Sequence, residues 1–527
     1  MPLAQLRASL ARRRAAAPKS SEGASADLAD AGALSPARFW ATFAVLFLVA
    51  ALPLLSVELP PLFDYPNHLA RMDLLSRLPA SQTLQRYYEL RWRIIPNLGM
   101  DLVVPMLARI MPLAWAGKAF VLASLGLVAA GAAFVHRAAA GRWSVWPLSA
   151  FLFLYSRVLL WGFLSYLLGV GLALVAFALW ISLLERSATA RLTISAVAAL
   201  VLFFVHLMAC GIYAVLVAGY ELGVLWRRRP ISWSRMIARM AIAAAPFVPP
   251  LALLLFAGDG QGLGAIRFGR IDRKLDLLFS VFDNYDRVFD VGCFVVLVLA
   301  AGLGFFRRHL KVIPGLLPAL GLLAVVYLAA PSQLMTASAV DHRLPLVIGL
   351  VLSAATIGPR VSSGGLRLAA LACLALFLAR MAEVWVHWER ADAVYARLLP
   401  ILDQVPEGGR VAVGYPADAV NSTAVPTTHL PVLAIVRRDA FVPTLFAYRG
   451  QQPVALTPEV ERLASVAEPG AVWQALMGAG GSTSPSFILQ GFDAVLLLDQ
   501  RPFAMKPTPG LTPVAVEPDF ALYRVER

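Results

Sequence analysis

The chain has 527 residues, of which 59% are hydrophobic, a mean hydropathy of +0.70 and a formal net charge of +14. A soluble protein of this length is about half apolar, and repeated apolar runs of roughly 18 residues or more, separated by short basic clusters, define a multi-span membrane protein. The positive charge does not indicate nucleic acid as a partner, because the basic residues sit between apolar runs, where the positive-inside rule places them.

Residues 1–37 open with Arg7, Arg12, Arg13, Arg14 and Lys19 and then turn small and polar. No apolar region directly follows the basic part, as a signal peptide requires. The expectation is a disordered cytoplasmic tail. The first span is expected at 39–57 with its N-terminal end cytoplasmic, followed by a long outer loop, 58–113. Further spans are expected at 114–135, 146–160 and 163–184, the last two joined by the tight "LLWGFLSYLLG". Two more share Leu192–Trp226 with a break near "HLMACG", and another covers 236–256. After a second outer loop, 257–287, come spans at 288–306 and 313–330, a third outer loop, 331–343, and spans at 344–358 and 367–386.

These eleven spans sort the charges. The inner connections hold Arg137, Arg142, Arg186, Arg191, Arg227–Arg229, Arg235, Arg239, Arg307, Arg308, Lys311, Arg360 and Arg367 against one acid, Glu185. An error of one span would invert the later half and destroy this sorting. Cys210, Cys293 and Cys373 all lie in apolar runs and suggest neither a disulfide framework nor a zinc site. Residues 387–527 read as a separate small α/β domain on the outer face. Its strand-like runs are "RVAVGYP", "HLPVLAIV", "FDAVLLLD" and "FALYRVE", with helix-like stretches near 391–403 and 458–477. The fold class is thus an α-helical polytopic membrane protein with a C-terminal α/β extracytoplasmic domain. No P-loop, GxGxxG or HExxH is present.

The first outer loop contains "FDYPNHLARMDLL", with Asp64, Asn67, His68 and Arg71 within eight residues. Pro66 fixes a turn, and the pattern from Asn67 onward is helical, which puts Asn67 and Arg71 on one face. Asp64 then lies at or before a helix N-terminus, where it is either a helix cap or a general base tuned by partial burial. His206 ends a span, and Asp341, His342 and Arg343 precede another. Arg267, Arg270, Arg273 and Lys274 lie on the side the positive-inside rule disfavours. Spacings of three and four would present them on one helical face toward a phosphate, with pairing to Asp272 and Asp276 as the alternative. The acidic run "VFDNYDRVFD" offers oxygen ligands for a divalent cation without EF-hand spacing.

This arrangement resembles the C-type (GT-C) membrane glycosyltransferases: many spans, an acid in the first outer loop, and an outer C-terminal domain. The resemblance implies a polyprenyl-phosphate-linked sugar as donor. Asp64 becomes the base or a metal ligand, and Arg267 and Arg270, with Arg343, hold the lipid phosphate. Asn67, His68, Arg71, His206, Asp341 and His342 would line the sugar or acceptor site. The acceptor is a glycan, a lipid or a protein, and the location is a bacterial inner membrane with the active face periplasmic. Two rivals stay open, a transporter or flippase and a non-catalytic subunit of an envelope-polysaccharide assembly.

Overall fold

A computed structural model describes residues 30–184, 187–227, 232–256, 266–334, 337–417, 425–448, 450–477, 485–505 and 507–526. The last residues of the expected tail are ordered. The Asp30 carboxylate accepts from Trp146 Nε1 (2.7 Å), Ser144 Oγ (2.7 Å) and the amides of Gly32 and Gly358 (3.1 Å each). Ala33–Leu34 pair antiparallel with Trp143–Ser144. The chain is therefore pinned to the bundle before its first span begins.

Helix α1 (Pro36–Ser56) starts with Ser35 accepting from the Arg38 amide and with Pro at the first helical position, where a missing N–H costs nothing. The loop after it forms α2 (Tyr65–Arg77), strand β1 (Tyr88–Leu90) and α3 (Gly99–Leu107). The bundle continues as α4 (Leu113–Ala140), α5 (Leu164–Ser182), α6 (Ala188–Val205) and α7 (Leu207–Arg227). Helices α4 and α5 pack closely because Gly171 has no side chain: a Cβ there would lie 2.9 Å from the Leu127 backbone. Next come α8 (Trp233–Ala244) and α9 (Val248–Phe256), bent at the Pro246 turn between them. They are followed by α10 (Ile271–Phe279), α11 (Arg287–Phe306), α12 (Leu317–Ala329), α13 (Leu344–Ala355) and α14 (Ser363–Leu402).

Among the described residues, eight helical segments are long and apolar enough to cross a membrane. The other three expected spans are shorter. The 146–160 run is a 3-10 turn (Trp146–Phe153) and a single helical turn (Arg157–Leu160). Pro314 and Gly315 delay α12, and β-branched Thr356 and Ile357 pair with Lys311–Val312 where α13 stops. One buried ion pair, Asp290–Arg380 (2.9 Å), ties the first turn of α11 to α14. Arg380 also donates to the Tyr155 and Phe282 carbonyls, so both terminal nitrogens of this buried guanidinium are partnered, as burial requires.

Helix α14 runs unbroken through residue 387, so the α/β part begins after Leu402. It is built on β2 (Val411–Gly414), α15 (Leu433–Arg438), β3 (Val454–Leu456), α16 (Pro458–Val466), α17 (Pro469–Met477), β4 (Ala494–Leu498), β5 (Leu511–Val516) and β6 (Phe520–Val525). The sheet order is β5-β6-β4-β2, with β4 and β2 parallel and the other pairs antiparallel. All five β4 residues are buried, which is why that strand is continuously apolar. "HLPVLAIV" is not a strand. Pro431 opens a 3-10 turn (Leu430–Val432) that leads into α15.

The α/β part is stitched to the first loop. Strand β1 pairs antiparallel with β3, Tyr88 opposite Leu456. The Tyr88 hydroxyl donates to the Ala440 carbonyl (3.2 Å) and accepts from the Val442 amide (3.1 Å). Arg77 bridges Asp73 (2.5 Å) on its own helix and Asp439 (2.8 Å) across the junction.

Candidate active site

Asp64 is the residue before α2, yet its side chain caps nothing. It is in right-handed helical conformation (φ −88°, ψ −3°), whereas a capping residue is extended. Pro66 also removes one of the amides that such a cap would engage. The plain capping role is thereby excluded, and the carboxylate sits uncommitted at the positive end of a helix.

Three successive carbonyls of the tight turn before α5 hold this loop in place. Leu160 O accepts from the Phe63 amide (2.8 Å), Trp161 O from the Asp64 amide (3.2 Å) and Gly162 O from His68 Nε2 (3.0 Å). Gly162 has φ +87°, and a Cβ there would lie 3.0 Å from both Asp64 N and Asp64 Cβ. Glycine is required at this close approach in the left-handed region.

The side chains of α2 form an ordered network. Arg71 makes a forked pair with buried Asp101 of α3 (2.7 and 3.2 Å) and donates to His68 Nδ1 (3.2 Å). His68 is therefore neutral with its proton on Nε2. Burial, and the Arg71 charge beside it, push its pKa down to about 3. Asn67 is fully buried. Its carbonyl oxygen accepts from the Phe446 amide (2.8 Å), and its amide donates to His429 Nδ1 (2.8 Å). Asn67, His68 and Arg71 thus orient the loop rather than lie open to a ligand.

His429 was not anticipated. It comes from the α/β part, and its Nε2 lies 3.6 Å from Asp64 Oδ1. Its signal in the sequence is slight: it is the one histidine after residue 387. Burial lowers its pKa to about 4. Burial raises Asp64 to about 7, although the charges of Arg71 and Arg343 pull the other way.

Arg343 is buried and makes no ion pair with a carboxylate among the described residues. It lies 4.1 Å over the Phe163 ring, donates to the Ser338 carbonyl (3.1 Å) and points Nη1 at His206 Nε2 (3.4 Å). His206 Nε2 accepts, so the proton of neutral His206 is on Nδ1. That Nδ1 and Arg343 Nε are both buried without a hydrogen-bond partner among the described residues. Asp341 pairs with Lys274 (3.1 Å), and His342 lies 5.0 Å from the Trp161 ring. Four of the seven histidines (His68, His206, His342 and His429) therefore converge here.

Arg267 and Arg270 are placed differently from the expectation. Both precede α10 and are exposed, and Arg270 pairs with Asp272 (2.8 Å). Lys274 lies within α10 but is buried, so the three cations share no helical face. The carboxylates of the acidic run are each committed elsewhere: Asp283 to Arg157 (2.5 Å), Asp286 to the amides of Val288 and Phe289, and Asp290 to Arg380. Among the described residues no group of three or more His, Cys, Asp or Glu side chains converges to hold a metal ion.

The membrane bundle with its docked α/β part has the fold seen in ArnT, a GT-C polytopic membrane protein. ArnT from Cupriavidus metallidurans in the apo state matches with a TM-score of 0.50 at 14% identity, covering 93% of this chain and 98% of that one. The same protein bound to undecaprenyl phosphate gives a TM-score of 0.48 at 14% identity, covering 92% and 98%. The mycobacterial arabinofuranosyltransferase AftD gives 0.43 at 18% identity over 94% of this chain and 42% of that chain. No protein-family model and no curated protein matches the sequence.

Proposed function

We propose that the protein is a glycosyltransferase that moves a sugar from a polyprenyl-phosphate donor to an acceptor hydroxyl on the periplasmic face of a bacterial inner membrane. The observation that carries this reading is a carboxylate that caps nothing, Asp64, within electrostatic reach of a buried guanidinium, Arg343, that makes no ion pair among the described residues. Buried, unpartnered charge is costly and is kept where function needs it.

The donor phosphate sits against Arg343, whose Nε–H and the neighbouring His206 Nδ1–H are donors in need of an acceptor. Asp64, with a pKa near neutrality, removes the proton from the acceptor hydroxyl. The acceptor oxygen attacks the anomeric carbon, the bond to the phosphate oxygen breaks, and polyprenyl phosphate leaves with the electron pair. Its charge rises from −1 to −2 as Arg343 holds it. Arg267 and Arg270 are not needed in this reading: both are exposed, and Arg270 is paired with Asp272.

The test uses purified protein in nanodiscs with extracted polyprenyl-phosphate sugars and reads release of free polyprenyl phosphate. Wild type should release it, and a folded Asp64→Asn variant should not. If wild type consumes no donor in the mixture, the enzyme reading is overturned.

A further inference from the structure

We propose that His429 is the positioning residue for the Asp64 base: the α/β part supplies an imidazole N–H that holds one oxygen of the carboxylate and leaves the other for the acceptor. The proposal rests on the reading of Asp64 as a base, and it makes docking of the α/β part a condition for a competent site.

The geometry fixes the proton. The Phe446 amide donates to Asn67 Oδ1, which settles the orientation of the Asn67 amide, so Asn67 Nδ2 must donate to His429 Nδ1. An imidazole that accepts at Nδ1 carries its proton on Nε2 when neutral. That Nε2–H faces Asp64 Oδ1 at 3.6 Å. The ring cannot turn away, because Phe63 (4.7 Å, 79°) and Phe446 (5.1 Å, 73°) pack edge-on against it. The separation is longer than a hydrogen bond. Catalytic contacts of this kind are often long without substrate and tighten when it binds.

The groups facing Asp64 are Arg71 and His68 from its own helix, Arg343 from the turn before α13, and His429. Arg71 is committed to Asp101, His68 to Gly162 O, and Arg343 to His206 and Ser338. No described residue donates a hydrogen bond to the Asp64 side chain, and among the described Lys, Arg and His side chains only His429 comes within 4.0 Å of it. Phe63 and Asp64 come from the first loop, and His429 and Phe446 from some 360 residues later, so neither part can build the pair alone.

Two measurements test this. The first is nitrogen NMR of histidine-labelled full-length protein in nanodiscs, with the His429 signal assigned by its loss in His429→Gln. The expected signal is a neutral Nε2–H tautomer whose shift follows a midpoint near pH 7, and Asp64→Asn should abolish that response. An Nδ1–H tautomer, or a shift identical in Asp64→Asn, overturns the proposal. The second is a pH–rate profile of polyprenyl phosphate release. His429→Leu should lower kcat by about 10- to 100-fold, the scale of a misplaced catalytic group, with KM unchanged and the acid limb moved to higher pH. His429→Gln, which keeps a donor, should recover part of the loss. A purely structural role would leave the acid limb in place, and that outcome also overturns the proposal. If the expected NMR response is seen but no donor is consumed, the pair stands and the glycosyltransferase reading fails.

Discussion

Asn67 donates to His429 Nδ1 at 2.8 Å across a separation of 362 residues. It also accepts from the Phe446 amide, and it is wholly buried. Asn67→Leu would leave the Phe446 N–H without an acceptor and His429 Nδ1 without a donor. Each orphan costs about 1–3 kcal/mol. We expect a clear fall in thermal midpoint and faster proteolysis after residue 402, read by scanning fluorimetry and limited trypsin digestion. An unchanged midpoint would mean that the junction does not depend on this residue.

Asp64→Asn should be more stable than wild type at pH 8 and equal to it at pH 4. The folded carboxyl titrates at about 7, above the ordinary 3.8. Well below pH 3.8 both folded and unfolded forms are protonated and nothing is lost, and at pH 4 the loss is still small. Between those values the unfolded carboxyl ionises while the folded one resists, so wild-type stability drains away as pH rises. Three pKa units bound the effect at about 4 kcal/mol. Thermal midpoints at the two pH values check the sign.

Gly162→Ala should abolish turnover while the spans stay folded. The positive φ and the 3.0 Å approach to Asp64 leave no room for a methyl group. The turn must open, and with it go the carbonyls that hold Phe63, Asp64 and His68. Unchanged helical circular dichroism with turnover below a tenth of wild type is the expected pair of readings.

Arg343→Met should raise the donor KM by about 10- to 100-fold, because a hydrogen bond to a charged group is worth roughly 1.5–3 kcal/mol. Stability should hold or rise, since the guanidinium is buried and makes no ion pair with a carboxylate among the described residues. A variant that unfolds would assign Arg343 to structure.

Arg267→Ala with Arg270→Ala should change turnover by less than about threefold, as an exposed ion pair is worth only 0–1 kcal/mol. A large rise in KM would restore these residues to the phosphate site.

The runs "FDYPNH", "WGF", "FVH" and "DHR" each contribute to one buried cluster, and each is visible in the sequence as polar or aromatic groups at the end of an apolar run. What the sequence leaves open is which of them carry committed partners. Asp341 beside Arg343 looks like an ion pair, but Asp341 belongs to Lys274. Arg267 and Arg270 look like a helical face, but the helix begins one residue after Arg270. His429 is hidden by its setting, since "HLPVLAIV" has the composition of a strand and only tertiary contacts bend it into a turn and a helix. Asp30 is similar: its partners are 114, 116 and 328 residues away.

Helix α14 has 40 residues and so measures about 60 Å, twice the roughly 30 Å hydrocarbon thickness of a bilayer. The first loop is tied to it where the Glu58 amide donates to Asp392 (2.9 Å). The helix is a rigid mast that sets the height at which the sheet stands over the loop. A helix twice as long as the hydrocarbon is thick does two jobs with one stretch of chain: about half of it suffices to cross a bilayer, and the rest is a spacer that carries the chain on to the sheet.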